Sequence, residues 1–111
     1  MIKYEVLISK FAENDLLEIV NYYESKNKKY ALDLYSKIKA RILELHEFPE
    51  RGRIVPELER QGITGYRELI ESYYRVIYSI NRHKINVLVI VDSRRNLDEV
   101  LVLKLMEVLR G

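Results

Sequence analysis

The chain has no cysteine and no tryptophan, and only four glycines and two prolines. Without cysteine there are no disulfides and no thiolate chemistry, a usage compatible with a reducing compartment. The longest purely apolar run is VLVIV at 87–91, far below the roughly 20 residues that a membrane-spanning helix needs. The opening stretch MIKYEVLISKF is too short and too polar for the core of a secretory signal. A soluble, cytoplasmic protein with no membrane partner is the expectation. The two histidines, His46 and His83, have no second histidine or carboxylate at ligand spacing, and no glycine-rich phosphate loop occurs. Neither a metal nor a cofactor is expected, and a histidine-activated nucleophile is not expected either.

What is present fits one domain spanning residues 1–111. A chain of 111 residues with 48% apolar and 32% charged residues has an ordinary globular composition. At this length folding buries roughly two-thirds of the unfolded surface, enough for one real core. The net charge is only +2, but it is unevenly spread. Residues 51–95 hold nine basic residues against five acidic, and eight of those nine are arginine. Lysine dominates elsewhere, as suits solvated helix faces. Arginine offers a planar fork matched to phosphate or carboxylate.

Hydrophobic patterning sets the expected elements. Tyr4, Val6 and Ile8 alternate with polar neighbours, which predicts a first strand. Ser9 suits a helix cap, and Phe11, Leu16, Ile19, Val20 and Tyr23 follow near helical spacing to about Ser25. SKNKK at 25–29 breaks the pattern. Ala31, Leu34, Tyr35, Ile38, Ile42 and Leu45 then mark a second helix, stopped by Pro49 and Gly52. An irregular loop carries Arg51, Arg53, Glu57 and Arg60. Strands are predicted at about 66–70, 73–80 and 85–91, joined by short polar turns that favour antiparallel hairpins. A short C-terminal helix is expected near Asp98, where Asp98 and Glu99 complement a helix start. The fold class is therefore α+β: an N-terminal strand, then a helical hairpin packed on a small, mostly antiparallel sheet, in the order β-α-α-β-β-β. The other face of the sheet is expected to be open and concave.

The arginines make the functional hint specific. A turn at Glu71 and Ser72 would set Arg67 opposite Val76 and bring Arg67 and Arg75 close together. Arg94 and Arg95 follow the last strand and would fall at the same end. Guanidiniums gathered in this way repel one another unless an anion, or a carboxylate such as Glu57 or Glu68, shares the site. RNA or DNA phosphate fits, and so does an acidic segment of a protein. Taken singly, the same residues read as weak surface ion pairs, Arg67 with Glu68 and Arg75 with Glu71. Tyr66, Tyr73, Tyr74 and Tyr78 lie among these arginines, placed either to stack on bases or to pack across strands. Tyr4, Tyr22, Tyr23, Tyr30 and Tyr35 read as core or helix-face residues.

The stretches FPERGRIVPELERQGITGYRELIESYYRVIYSI and VLVIVDSRRNL, with Ala12, Asp15, Ile19, Tyr22 and Tyr23 in the first helix, resemble the RelE/ParE superfamily of type II toxin–antitoxin toxins. The likeness runs over about residues 3–97. It implies a small sheet under a helical hairpin and a cognate antitoxin that wraps the toxin with an extended or helical segment. It also implies contact with promoter DNA only through that antitoxin. GRIVPEL, YREL, YRVIY and the closing RR resemble the ParE-like branch more closely. That branch inhibits DNA gyrase without chemistry of its own, and it would use Arg53, Arg67, Tyr74, Arg75, Arg94 and Arg95 for binding. The RelE-like alternative cleaves mRNA on the ribosome. It would assign catalytic roles to Arg75, Arg95 and Arg67, with Glu57 or Glu68 as the base, but NLDEVLVLKL lacks the C-terminal tyrosine or histidine usual there. A non-toxic binding module of the same fold is the third reading.

Overall fold

Ser9 ends the first strand and begins the first helix. In the computed structural model, which describes residues 3–94 together with 102, 103, 105 and 106, β1 spans Glu5–Ile8 and α1 spans Lys10–Glu24. The Ser9 hydroxyl oxygen accepts from the Ala12 amide at 3.0 Å, satisfying one of the donors a helix start leaves unpaired. Asn27 does the same for α2, Lys28–Glu44, accepting from the Tyr30 amide at 3.0 Å. The stripe predicted for α2 is the buried one: Ala31, Leu34, Ile38, Ile42 and Leu45 are all inside. Among the described residues no helix is long and apolar enough to cross a membrane.

The segment expected to be irregular holds two short elements, β2 at Arg53–Ile54 and α3 at Pro56–Glu59. Pro56 opens α3, where its missing N–H costs nothing. Three longer strands follow, β3 at Arg67–Glu71, β4 at Tyr74–Asn81 and β5 at Lys84–Asp92. The sheet order is β1-β5-β4-β3-β2, with β1 parallel to β5 and every other pair antiparallel.

The β3–β4 turn lies one residue beyond the expected place. Ser72 adopts φ 56°, and Glu71 pairs with Tyr74, so Ser72 and Tyr73 form the loop. Two-residue hairpin loops demand this left-handed backbone because it matches strand twist; Arg82, at φ 58°, serves the β4–β5 turn likewise. The register moves accordingly: Arg67 opposes Tyr78, not Val76, and Ile70 opposes Arg75. Partners across a ladder share a face and sequence neighbours alternate, so Arg67 and Arg75 lie on opposite faces.

In β5 the pairing with β4 shifts between Ile77 and Tyr78, leaving Leu88 as an extra residue. Such a bulge reverses the alternation beyond it. Ile85 and Val87 join the core under the helices with Leu16, Leu34, Ile38 and Val76. Val89 and Val91 turn the other way and form a second core with Val55, Leu58, Ile77 and Leu105. The second face is thus covered, by α3 and by Leu105, rather than open and concave as expected. Residues 102, 103, 105 and 106 are helical, while the predicted helix start at Asp98 lies outside the described residues. Past the end of β1, the β5 backbone is satisfied by α1 and its cap: the Ser9 hydroxyl donates to the Leu88 carbonyl at 2.7 Å. The Ile90 amide donates to the buried Asp15 carboxylate at 2.9 Å.

Candidate functional site

The register places Arg53, Glu68 and Arg75 on the second face, beside Glu57 of α3. Arg75 is only 4% exposed and Glu68 only 1%. The two Nη atoms of Arg75 donate to the two Glu57 oxygens, each at 2.7 Å, in a fork-to-fork arrangement. Its Nε donates to Glu68, whose second oxygen accepts from Arg53 Nε at 2.7 Å. The result is an alternating chain of charge: Glu57, Arg75, Glu68, Arg53. Hydrogen bonding from Arg75 holds the Glu57 carboxyl at about 2, against the opposing effect of burial. The Glu57 bond likewise raises Arg75. A carboxylate held this low stays ionised near neutral pH and is a poor proton acceptor. Chemically the network is a clamp holding the 49–64 segment to the sheet.

Arg67, on the helix side, donates to the Gly52 carbonyl at 2.7 Å. Beside it the buried Tyr78 hydroxyl donates to the Pro49 carbonyl at 2.8 Å and accepts from the Gly52 amide at 2.9 Å. Burial pushes the Tyr78 phenol up. Gly52 matters here for closeness more than for stopping a helix. A Cβ at that position would lie 2.5 Å from the Glu68 carbonyl and 2.7 Å from the Tyr78 hydroxyl.

Arg94 lies past β5, donating from Nη2 to Asp92 at 2.7 Å with its guanidinium 4.4 Å from the exposed Tyr73 ring centre. Tyr74 is buried and donates to the Tyr23 hydroxyl at 3.2 Å; burial pushes its own phenol up. Arg95 lies outside the described residues. The convergence expected of these arginines is therefore not formed among the described residues. Arg53 and Arg75 share Glu68 on one face, Arg67 occupies the other, and Arg94 lies beyond a strand end. Strand alternation puts Arg67 and Arg75 on opposite faces, and the later turn adds distance by moving the partner of Arg67 two residues along β4.

Two features escaped the sequence reading. Tyr22 and Tyr30 stack edge-on against Tyr23, both at 4.9 Å between ring centres, which joins the helix-face tyrosines to the strand tyrosines; the unusual count of nine tyrosines was the available signal. Beside the outer strand β1 lies a cleft of about 610 Å³ lined by Lys3, Tyr4, Val6, Leu43 and His46. It adjoins a second of about 510 Å³ that includes Phe48, Pro49 and Arg51. Tyr4 and His46 fix its floor, the Tyr4 amide donating to the His46 carbonyl at 3.1 Å.

Residues 6–97 match the family model described as ParE toxin of type II toxin-antitoxin system, parDE. Among solved structures, the chain is similar to one from the chromosomal ParDE toxin–antitoxin system of Pseudomonas aeruginosa. That match has TM-score 0.66 and 18% identity, covering 81% of this chain and 96% of the other. It is also similar to a chain of the toxin–antitoxin complex RelBE2 from Mycobacterium tuberculosis, at TM-score 0.52 and 20% identity, covering 82% and 99% respectively. At these identities the structures speak for the fold. No curated protein matches the chain.

Proposed function

The chain belongs to the ParE toxin family of type II toxin–antitoxin systems, and from that premise we propose that it arrests growth by binding DNA gyrase in the cytoplasm, without chemistry of its own. The observation that carries this reading is the state of Arg75. A strand arginine that would grip a scissile phosphate has both outward nitrogens engaged by Glu57 and its Nε by Glu68. Of the two carboxylates that could serve as a base, Glu57 is held at about 2 by that same contact and Glu68 is enclosed between Arg75 and Arg53. Recognition of a protein surface needs neither a free guanidinium nor a base.

A cognate antitoxin is the second half of the proposal. Both structural neighbours come from toxin–antitoxin systems. The outer strand β1 and the cleft beside it, with Leu43 at 61% and Phe48 at 51% exposure, offer an apolar surface for a wrapping segment. Contact with promoter DNA would run through the antitoxin.

A gyrase supercoiling assay with the purified protein tests the reading, and the expected result is a complete block at saturating toxin. Full supercoiling accompanied by codon-placed cuts in mRNA, mapped by primer extension after induction, would replace it with ribosome-dependent cleavage. Full supercoiling with normal growth would leave a binding module.

A further inference from the structure

Resting on that reading, the structure assigns a docking surface for the toxin's target: we propose that the tyrosine-rich end of the molecule, formed by Tyr22, Tyr23, Tyr30, Tyr73, Tyr74 and Arg94, engages an acidic surface of the protein partner.

These residues come from three separate places and make one continuous surface. The α1–α2 hairpin supplies Tyr22, Tyr23 and Tyr30, stacked edge to face at 4.9 Å on either side of Tyr23. The β3–β4 hairpin supplies Tyr74, whose hydroxyl reaches that of Tyr23 at 3.2 Å, and Tyr73, which the left-handed Ser72 lifts onto the tip of the turn. The chain beyond the β5 end supplies Arg94, whose guanidinium lies over the Tyr73 ring at 4.4 Å from its centre. The Ser93 amide ties that end to the turn, donating to the Tyr73 carbonyl at 2.6 Å.

The surface is held from beneath and presented outward. Tyr74 is 5% exposed, whereas Tyr22 is 54% and Tyr73 51% exposed. Tyrosine and arginine are the residues that anchor protein interfaces, because each brings a large rigid area with few torsions to freeze. Arg94 is already paired with Asp92 through Nε and Nη2, so it offers a flat stacking face rather than a bare cation. That favours a protein over a polyphosphate backbone. The rim adds positive charge: Lys26 lies over Tyr22 at 4.5 Å. Lys28 and Lys29 open α2 in a first turn that holds no acidic residue. Complementary rim charge steers association and selects the partner.

The experiment reads growth arrest, which reports the surface whatever the target, and binding of purified gyrase, which reports the target. The variants are Tyr22→Ala with Tyr73→Ala, and Lys28→Glu with Lys29→Glu, each checked by thermal melting. The tyrosine pair is expected to melt close to wild type, to weaken gyrase binding by about a hundredfold, in keeping with anchor truncations, and to abolish arrest. The lysine pair is expected to slow association several-fold at low salt, with the difference fading at high salt. If wild type arrests growth without binding gyrase while the tyrosine pair does not arrest it, the surface stands and the gyrase reading fails. Tyrosine variants as toxic as wild type would overturn the surface. So would binding of DNA or RNA alone that depends on these tyrosines, unfolding of both variants, or a wild type that neither arrests growth nor binds gyrase.

Discussion

The two faces of the sheet bury comparable strand positions by different chemistry. The helix side is closed by two long amphipathic helices, so hydrocarbon does the work: Ala12, Leu34, Ile38 and Ile42 lie on Leu69, Val76, Ile85 and Val87. The second side is closed by Leu105 and by a four-residue helix with its flanks, whose apolar contribution is mainly Val55 and Leu58. So little apolar area cannot orient the segment, and a directed set of ion pairs supplies what it lacks. A regular element positions itself through its stripe, whereas an irregular one needs contacts with angles.

Replacement of Arg75 by alanine is the sharpest way to break that contrast. It leaves the buried Glu68 with only the exposed Arg53 as partner and takes the fork from Glu57, and should cost about 3–5 kcal/mol, the usual penalty for removing one partner of a buried ion pair. Denaturant unfolding measures it, and proteolysis within 49–64 should rise in parallel. Ile38→Ala on the helix side should cost about 2–5 kcal/mol through its cavity, yet leave the 49–64 segment as protected as before. Similar protease sensitivity in both variants would erase the distinction between the faces. Asp15→Ala, which strands the Ile90 amide, should cost about 1–3 kcal/mol. It should also speed hydrogen exchange at the β5 bulge.

Acid should separate the two sides by titration. The folded Glu57 carboxyl lies near 2, below its ordinary 4.5. Its contribution is therefore fully present above pH 4.5 and is lost as the pH falls from 4.5 toward 2. Melting temperature followed across that window should drop less steeply in Glu57→Gln, which has no such proton to take up. The smallest effect belongs to the exposed Arg94–Asp92 pair. Arg94→Gln should leave the melting temperature close to that of the wild type.

How far the sequence revealed all this follows the same division. The stripe of α2, the cap at Ser9, and the succession of three antiparallel strands rest on local periodicity and cap chemistry, and these were legible. The family resemblance rested on residues that now have physical roles: Asp15 holds β5, Gly52 admits Tyr78, and Glu68 joins two arginines. The site geometry was not legible. Ser72 and Tyr73, rather than Glu71 and Ser72, make the turn, and a slip of that size decides which residue Arg67 meets. The bulge was hidden because Ile85, Val87, Val89 and Val91 read as one unbroken alternation, when the strand changes sides between the second and third. Nor does periodicity reveal that Glu68, a strand carboxylate, is almost completely enclosed.

Leu88 gives the chain an uneven tolerance to changes of length. Removing one residue there, or adding a second, would send Val89 and Val91 toward the helices and Ile90 away from them, exchanging the contents of two layers at a stroke. The stretch around Gly62 and Gly65 has open space about it and should absorb an insertion with little disturbance. Natural or engineered length variants of this toxin should therefore accumulate in that outer stretch and be purged from the middle of β5.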